Sequence, residues 1–274
     1  MVKLFVAAIA VLVLAACDTR PPRQEMAAPA GPRFSQVTPG REAHGERLAR
    51  ILGCLGCHGE DLTGEDWGEP GFGRLWTSNL TRALPRYSDA QLARTIVGGV
   101  RPDGSELWEM PSHLFTALAP EDMAALIDYL RSRPPAGVAH PPPTFEEGAR
   151  REIEAGTFKS SRTRVREEGN RWPPDAGPPH ALARYIVRAT CAECHGMDLG
   201  GSQPNPSAAP RPDLRVVAAA YDRAEFTRLL RTGIASGERR LGLMGEVARG
   251  RYRHFTDAEI AALHDYLRAL AERR

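Results

Sequence analysis

Apolar residues recur along this chain at helical spacing, and they do so twice. Met123, Leu126, Ile127 and Leu130 stand at i, i+3, i+4 and i+7, and Ile260, Leu263, Leu267 and Leu270 trace a matching stripe near the C-terminus. Each stripe predicts a helix with one buried face. Start signals agree: Ser88-Asp89-Ala90-Gln91 and Asp222-Arg223-Ala224-Glu225 read as capping boxes, Thr256-Asp257-Ala258-Glu259 opens the last helix, and Pro120 falls in the first turn of its counterpart. Residues 47–52 and 182–189 read as further helices. With helices throughout and no βαβ pattern, the expected fold class is all-α.

The similarity between the halves is an internal repeat. Cys54 and Cys191 lie 137 residues apart, as do Tyr129-Leu130-Arg131 and Tyr266-Leu267-Arg268. Between these ends the register slips by about three residues, pairing Tyr87 with Tyr221 and Gly99 with Gly233. Two tandem domains, 41–133 and 180–274, follow. Each is small enough to need help in building a core. Residues 134–179, with proline runs at Pro134 and Pro141 and the string Trp172-Pro173-Pro174, read as an interdomain linker. That is long for a structureless connection, so part of it is expected to pack across the domains, with weak helical character over 144–156. The run Arg162-Thr163-Arg164-Val165-Arg166 followed by two glutamates reads as solvated surface, and no nucleic-acid partner is expected.

The repeat carries its chemistry in Cys54-Leu55-Gly56-Cys57-His58-Gly59 and Cys191-Ala192-Glu193-Cys194-His195-Gly196. Two thiols separated by two residues can add to the two vinyl groups of one haem, and the adjacent histidine can ligate its iron on the proximal face. A shared zinc site would leave the two following histidines as coincidences. A redox dithiol is expected beside a βαβ unit. The expectation is two covalently attached haem c groups, held by Cys54, Cys57, Cys191 and Cys194 with His58 and His195 as proximal ligands. Each domain would then fold around its cofactor.

The fifth cysteine, Cys17, ends Leu14-Ala15-Ala16-Cys17 after Lys3 and an apolar run too short to span a bilayer. This resembles a bacterial lipoprotein signal: residues 1–16 would be removed, Cys17 lipidated, and 17–40 would form the anchor and a flexible tether with a relaxed span of roughly 25 Å. An ordinary signal with an unpaired cysteine is the alternative. Periplasmic location follows in either case, and Asp18 resembles an inner-membrane retention signal.

A helix before CxxCH, a loop carrying a distal ligand and a closing helix with a Tyr-Leu pair together resemble the class I cytochrome c fold. That fold commonly places a methionine in the loop before the final helix, which here means Met110 in the first domain and Met244 in the second. They lie 52 and 49 residues beyond His58 and His195. Ligation by His113 or His254, or an open position, are the alternatives. Met123 belongs to the helix stripe and Met197 stands too close to His195. His44, His140, His180 and His264 are expected in surface or supporting roles, and Trp76 and Trp108 either against the first haem or in ordinary core. Ser78-Asn79-Leu80-Thr81, Gly99-Val100-Arg101-Pro102-Asp103-Gly104 and Met110-Pro111-Ser112 resemble the cytochrome c subunits of membrane-bound alcohol and aldehyde dehydrogenases. Those subunits commonly carry three haem motifs and this chain has two.

The net charge of +2 conceals a polarity: 41–133 carries 10 basic and 14 acidic side chains, 180–274 carries 15 and 11. Arg101, Asp103, Glu106 and Glu109 precede Met110, whereas Arg239, Arg240, Arg249, Arg251 and Arg253 are expected around Met244. Either the domains dock partners of opposite charge, or surface composition has drifted. Irons held by two strong axial ligands exchange electrons without offering a substrate position. The expected function is electron transfer between a dehydrogenase or quinol-oxidising complex and an oxidase, reductase or small cytochrome, with no catalytic residue. The alternative is a dihaem enzyme with one catalytic haem, such as a peroxidase. A thiosulfate-oxidising cytochrome would be expected to use a cysteine ligand, and no cysteine remains for it.

Overall fold

The start signals open helices at the expected positions in the computed structural model, which describes residues 31–203 and 209–273. The first series comprises α1 (Arg41–Ile51), α2 (Cys54–His58), α3 (Leu80–Ala83), α4 (Asp89–Gly98), α5 (Ser112–Phe115) and α6 (Pro120–Ser132). Two helices follow, α7 (Glu147–Glu154) and α8 (Ser161–Glu168). The second series comprises α9 (Ala181–Ala189), α10 (Ala192–His195), α11 (Leu214–Val217), α12 (Arg223–Thr232), α13 (Leu243–Gly250) and α14 (Asp257–Ala271). The capping boxes at Ser88, Asp222 and Thr256 are all formed. Helices α4 and α12 both stop at a left-handed glycine, Gly99 (φ 67°) and Gly233 (φ 76°), a conformation that cheaply turns the chain out of a helix.

Both apolar stripes are buried, on α6 and α14. Helix α6 packs on α1 and α14 on α9. The first crossing is close: a Cβ on Gly45 would lie 1.9 Å from the carbonyl oxygen of Ala125, so only glycine lets α1 and α6 meet there.

The fold is helix-rich but not wholly helical, because β1 (Gly73–Arg74) pairs antiparallel with β2 (Thr144–Phe145), and β3 (Ile234–Ala235) with β4 (Arg239–Arg240). The Pro-rich stretch 134–179 is packed in part, with α7 falling inside the 144–156 span expected to have helical character. It supplies β2, α7 and α8, and its Phe145 and Phe158 pack edge-on with Trp108 and Phe72 of the first series. Trp172 lies under the guanidinium groups of Arg184 and Arg188 at 5.4 and 5.0 Å.

The described residues from Pro32 onward form one compact unit. Cys17, Asp18 and the signal sequence lie outside the described residues. No described helix is long and apolar enough to cross a membrane.

Within Pro32–Arg274 the halves hold one another reciprocally. Asp122 and Glu259, 137 residues apart, stand in the first turns of α6 and α14 and are almost fully buried. Asp122 accepts from the Phe34 amide (3.0 Å) and the Tyr185 hydroxyl of α9 (2.7 Å). Glu259 accepts from the Ser35 amide (3.0 Å) and from two nitrogens of Arg47 of α1 (2.9 and 3.1 Å). Each half's leading helix thus reaches the start of the other's closing helix, as an approximate two-fold relation would arrange. His44 and His264 are buried rather than superficial, His44 lying 3.4 Å from Asp122 and His264 3.0 Å from the Tyr221 carbonyl.

Candidate cofactor site

Each CxxCH motif is a short helical turn followed by the same loop. After His58 and His195 the chain passes a left-handed glycine, Gly59 (φ 80°) or Gly196 (φ 78°), and then a buried leucine forced to positive φ, Leu62 (62°) or Leu199 (60°). The hydrogen bonds repeat as well. Gly64 donates to the His58 carbonyl at 2.8 Å and Gly201 to that of His195 at 3.0 Å, while Leu80 donates to Leu62 and Leu214 to Leu199, both at 2.9 Å. A positive φ at leucine is strained, and the strain sits at the same place in both loops.

The histidines are oriented alike. Nδ1 of His58 donates to the Ser78 carbonyl and Nδ1 of His195 to the Pro212 carbonyl, each at 2.8 Å. This leaves the Nε2 lone pair of each ring for a metal, and a donated Nδ1 proton is the support that orients ligating imidazoles. Burial lowers both pKa values despite these bonds, favouring the neutral form that a metal binds. Burial also pushes the Cys54 thiol up to about 12 and Cys57 to about 11, and raises Cys191 and Cys194. None of the four is disulfide-linked.

Cys54, Cys57 and His58 share a largely apolar pocket with Leu84, Ile96, Phe115 and Leu130, and Met110 lines it too. Trp76 and Trp108 both face this pocket. His113 is not among its lining residues: it is buried 3.4 Å from Arg164, and burial with Arg164 and Arg188 drives its pKa down to about 3. The donor set, the neutral imidazole and the apolar walls fit a covalently attached haem. Met110 is held by its surroundings: Glu109 before it turns through φ 62°, Leu107 donates to Gly99 at 2.8 Å, and Ser161 at the start of α8 donates to Leu107 at 2.8 Å. The Pro-rich stretch therefore straps the Met110 loop. Met244 lies not in a loop but in the first turn of α13, half-buried against the core.

Residues not singled out by their sequence context join the two motifs. Glu193, inside the second motif, lines the first pocket. Arg251 donates to the Ile51 carbonyl at 3.1 Å and to Glu193 at 2.7 Å. It therefore sits at this junction, whereas the sequence suggested a basic surface around Met244. Arg188, which is 1% exposed, donates to the carbonyls of Leu114, His113 and Gly169. Ile51 and Arg188 are 137 residues apart, as are Leu114 and Arg251. The same contact is made twice, with the arginine on opposite partners.

Residues 181–271 match the cytochrome c family, so this part of the chain is a cytochrome c domain, which implies covalently bound haem c. Over 262 residues the chain is 25% identical to the fructose dehydrogenase cytochrome subunit of Gluconobacter japonicus, covering 83% of this chain and 52% of that protein. Over 260 residues it is 25% identical to the cytochrome c subunits of the quinone alcohol dehydrogenases of Gluconacetobacter polyoxogenes and Komagataeibacter europaeus, covering 82% of this chain and 55% of each. The chain spans about half the length of the curated relatives it matches.

Proposed function

We propose that this chain is a periplasmic, membrane-tethered dihaem c-type cytochrome. It passes electrons between a dehydrogenase or quinol-oxidising complex and a terminal oxidase, reductase or small cytochrome. The observation that carries the reading is the repetition at atomic detail: in both halves the CxxCH histidine gives its Nδ1 proton to a backbone carbonyl at 2.8 Å. Two class I domains, 41–133 and 180–274, would each hold one haem. Cys54, Cys57, Cys191 and Cys194 attach it, His58 and His195 ligate on one face, and Met110 and Met244 on the other. Bound haem supplies one-electron chemistry. The chain fixes the imidazoles, keeps water from the first pocket with Trp76, Trp108 and Phe115, and leaves no open position for a substrate.

The relatives are named as cytochrome subunits of dehydrogenases, which supports a dehydrogenase as electron donor. Lipidated Cys17 would provide the membrane tether. The exposed Arg239 and Arg240 of β4, beside the exposed Leu243, suit an acidic partner at the second half.

The test is the haem content and absorption spectrum of the full chain produced with haem-attachment machinery. Two low-spin haems are expected, and Met110→Leu and Met244→Leu should each remove about half of the ferric sulfur-to-iron band. One haem per chain would refute the dihaem reading. A high-spin iron in the unaltered protein would refute the carrier and favour an enzyme.

A further inference from the structure

Where the two motifs meet, one ion pair belongs to both. Arg251 follows α13, in the second half, yet its Nε bonds the carbonyl of Ile51 at the end of α1. The guanidinium lies over Gly53, the residue before Cys54, where a Cβ would come within 2.7 Å of the Arg251 Cζ. Gly53 holds φ 84°, so glycine is required both for the turn into the motif and for the arginine's approach. Nη1 of the same arginine meets Glu193, which stands between Cys191 and Cys194 and also lines the pocket of Cys54, Cys57 and His58.

We propose that Arg251 and Glu193 form a charge lock between the two haem-attachment motifs, clamping the first against the second and setting the fixed field in which both haems are reduced. The inference rests on the dihaem reading. Arg251 acts electrostatically on all four thiols. Its Nη2 is buried and without a hydrogen-bond partner, so part of its charge is left uncompensated by local bonds. The side chains of Arg251 and Glu193 are only 15% and 29% exposed, which limits screening by salt. Arg251 is a positioning residue: it touches the segments that carry the cofactors.

A positive charge beside a haem favours the ferrous state and a negative charge the ferric state, so the two partners must act with opposite sign. Spectroelectrochemical titration of the full dihaem chain tests this. Glu193→Gln should raise both potentials and Arg251→Gln lower both, each by about tenfold in the ferrous-to-ferric ratio at fixed ambient potential, or about 59 mV for one electron. Arg251→Lys keeps the charge but cannot span Ile51 and Glu193 together, so its potentials should stay near the unaltered values while its resistance to unfolding falls. The shifts should persist at high salt. Shifts of the same sign in both glutamine variants, or less than twofold in either, would overturn the lock. Haem content, measured first, separates the two failures: one haem per chain overturns the dihaem reading and the inference with it.

Discussion

Glu259 performs two tasks that the structure allows to be separated. It is the third residue of α14 and closes the capping box begun by Thr256, accepting from the Thr256 amide at 2.8 Å, and it is the 0%-exposed partner of Arg47 in the other half. Glu225 closes the corresponding box of α12 without a buried cation, its other oxygen accepting only from the Ser236 hydroxyl at 2.8 Å. Loss of a cap costs about 1 kcal/mol. Removing one member of a buried ion pair costs about 3–5 kcal/mol, because the other charge is stranded. Glu259→Ala should therefore lower the unfolding free energy by about 4–6 kcal/mol, and Glu225→Ala by about 1 kcal/mol. That difference is a large part of the total stability of a chain this size. Urea unfolding of the holoprotein, followed by release of tryptophan fluorescence from haem quenching, measures both. The double change Arg47→Met with Glu259→Leu should recover most of the loss, since an apolar pair strands no charge. Equal costs for the two alanine variants would refute the claim that the Arg47 contact joins the halves.

Gly45→Ala should destabilise by about 3 kcal/mol or prevent haem incorporation, because α1 and α6 must separate to admit the methyl group; thermal unfolding and haem yield report it. His113, neutral in the fold with a pKa near 3 against 6.5 in an unfolded chain, contributes stability that is full above pH 6.5 and lost as pH falls toward 3. Acidification from pH 7 to 5 should therefore cost about 2 kcal/mol through this residue, and His113→Gln should remove that part of the pH dependence in urea titrations. Glu109→Gly, at an exposed position held at φ 62°, should stabilise by up to about 1 kcal/mol; a clear loss of denaturation midpoint would show that the turn is not strained.

The capping boxes, both apolar stripes and the CxxCH histidines were legible because each is a local pattern. Period, cap and motif lie within a dozen residues, and the structure keeps them. Helix α13 was hidden because Gly245 and Gly250 depress helix propensity. The close approach there demands glycine at Gly233, whose Cβ would lie 2.6 Å from the Gly245 Cα, and not at Gly245, whose own Cβ would meet only the tip of Arg249 at 3.2 Å. The Pro-rich stretch showed only the weak helical character that becomes α7, and it concealed β2 and α8 because its anchors, Phe145 and Phe158, are isolated aromatics without periodicity. Arg251 was read as surface charge because nothing local marks a side chain whose partners lie 58 and 200 positions away. The shift of three in the repeat has a visible cause: the carbonyl that supports the ligand lies 20 residues beyond His58 but 17 beyond His195.

The reciprocal grip of Asp122 and Glu259 has a consequence for how the chain reaches its final state. Tyr185 must arrive from 63 residues downstream before Asp122 is satisfied, and Arg47 waits across 212 residues for Glu259. The first half can form its helices early, but it cannot close its polar interior until the last helix is in place. Loop closure over such separations is slow, and its intermediates expose apolar surface. The rate-limiting event in maturation is therefore expected to be the docking of the final helix, with the earlier segments held open until it arrives.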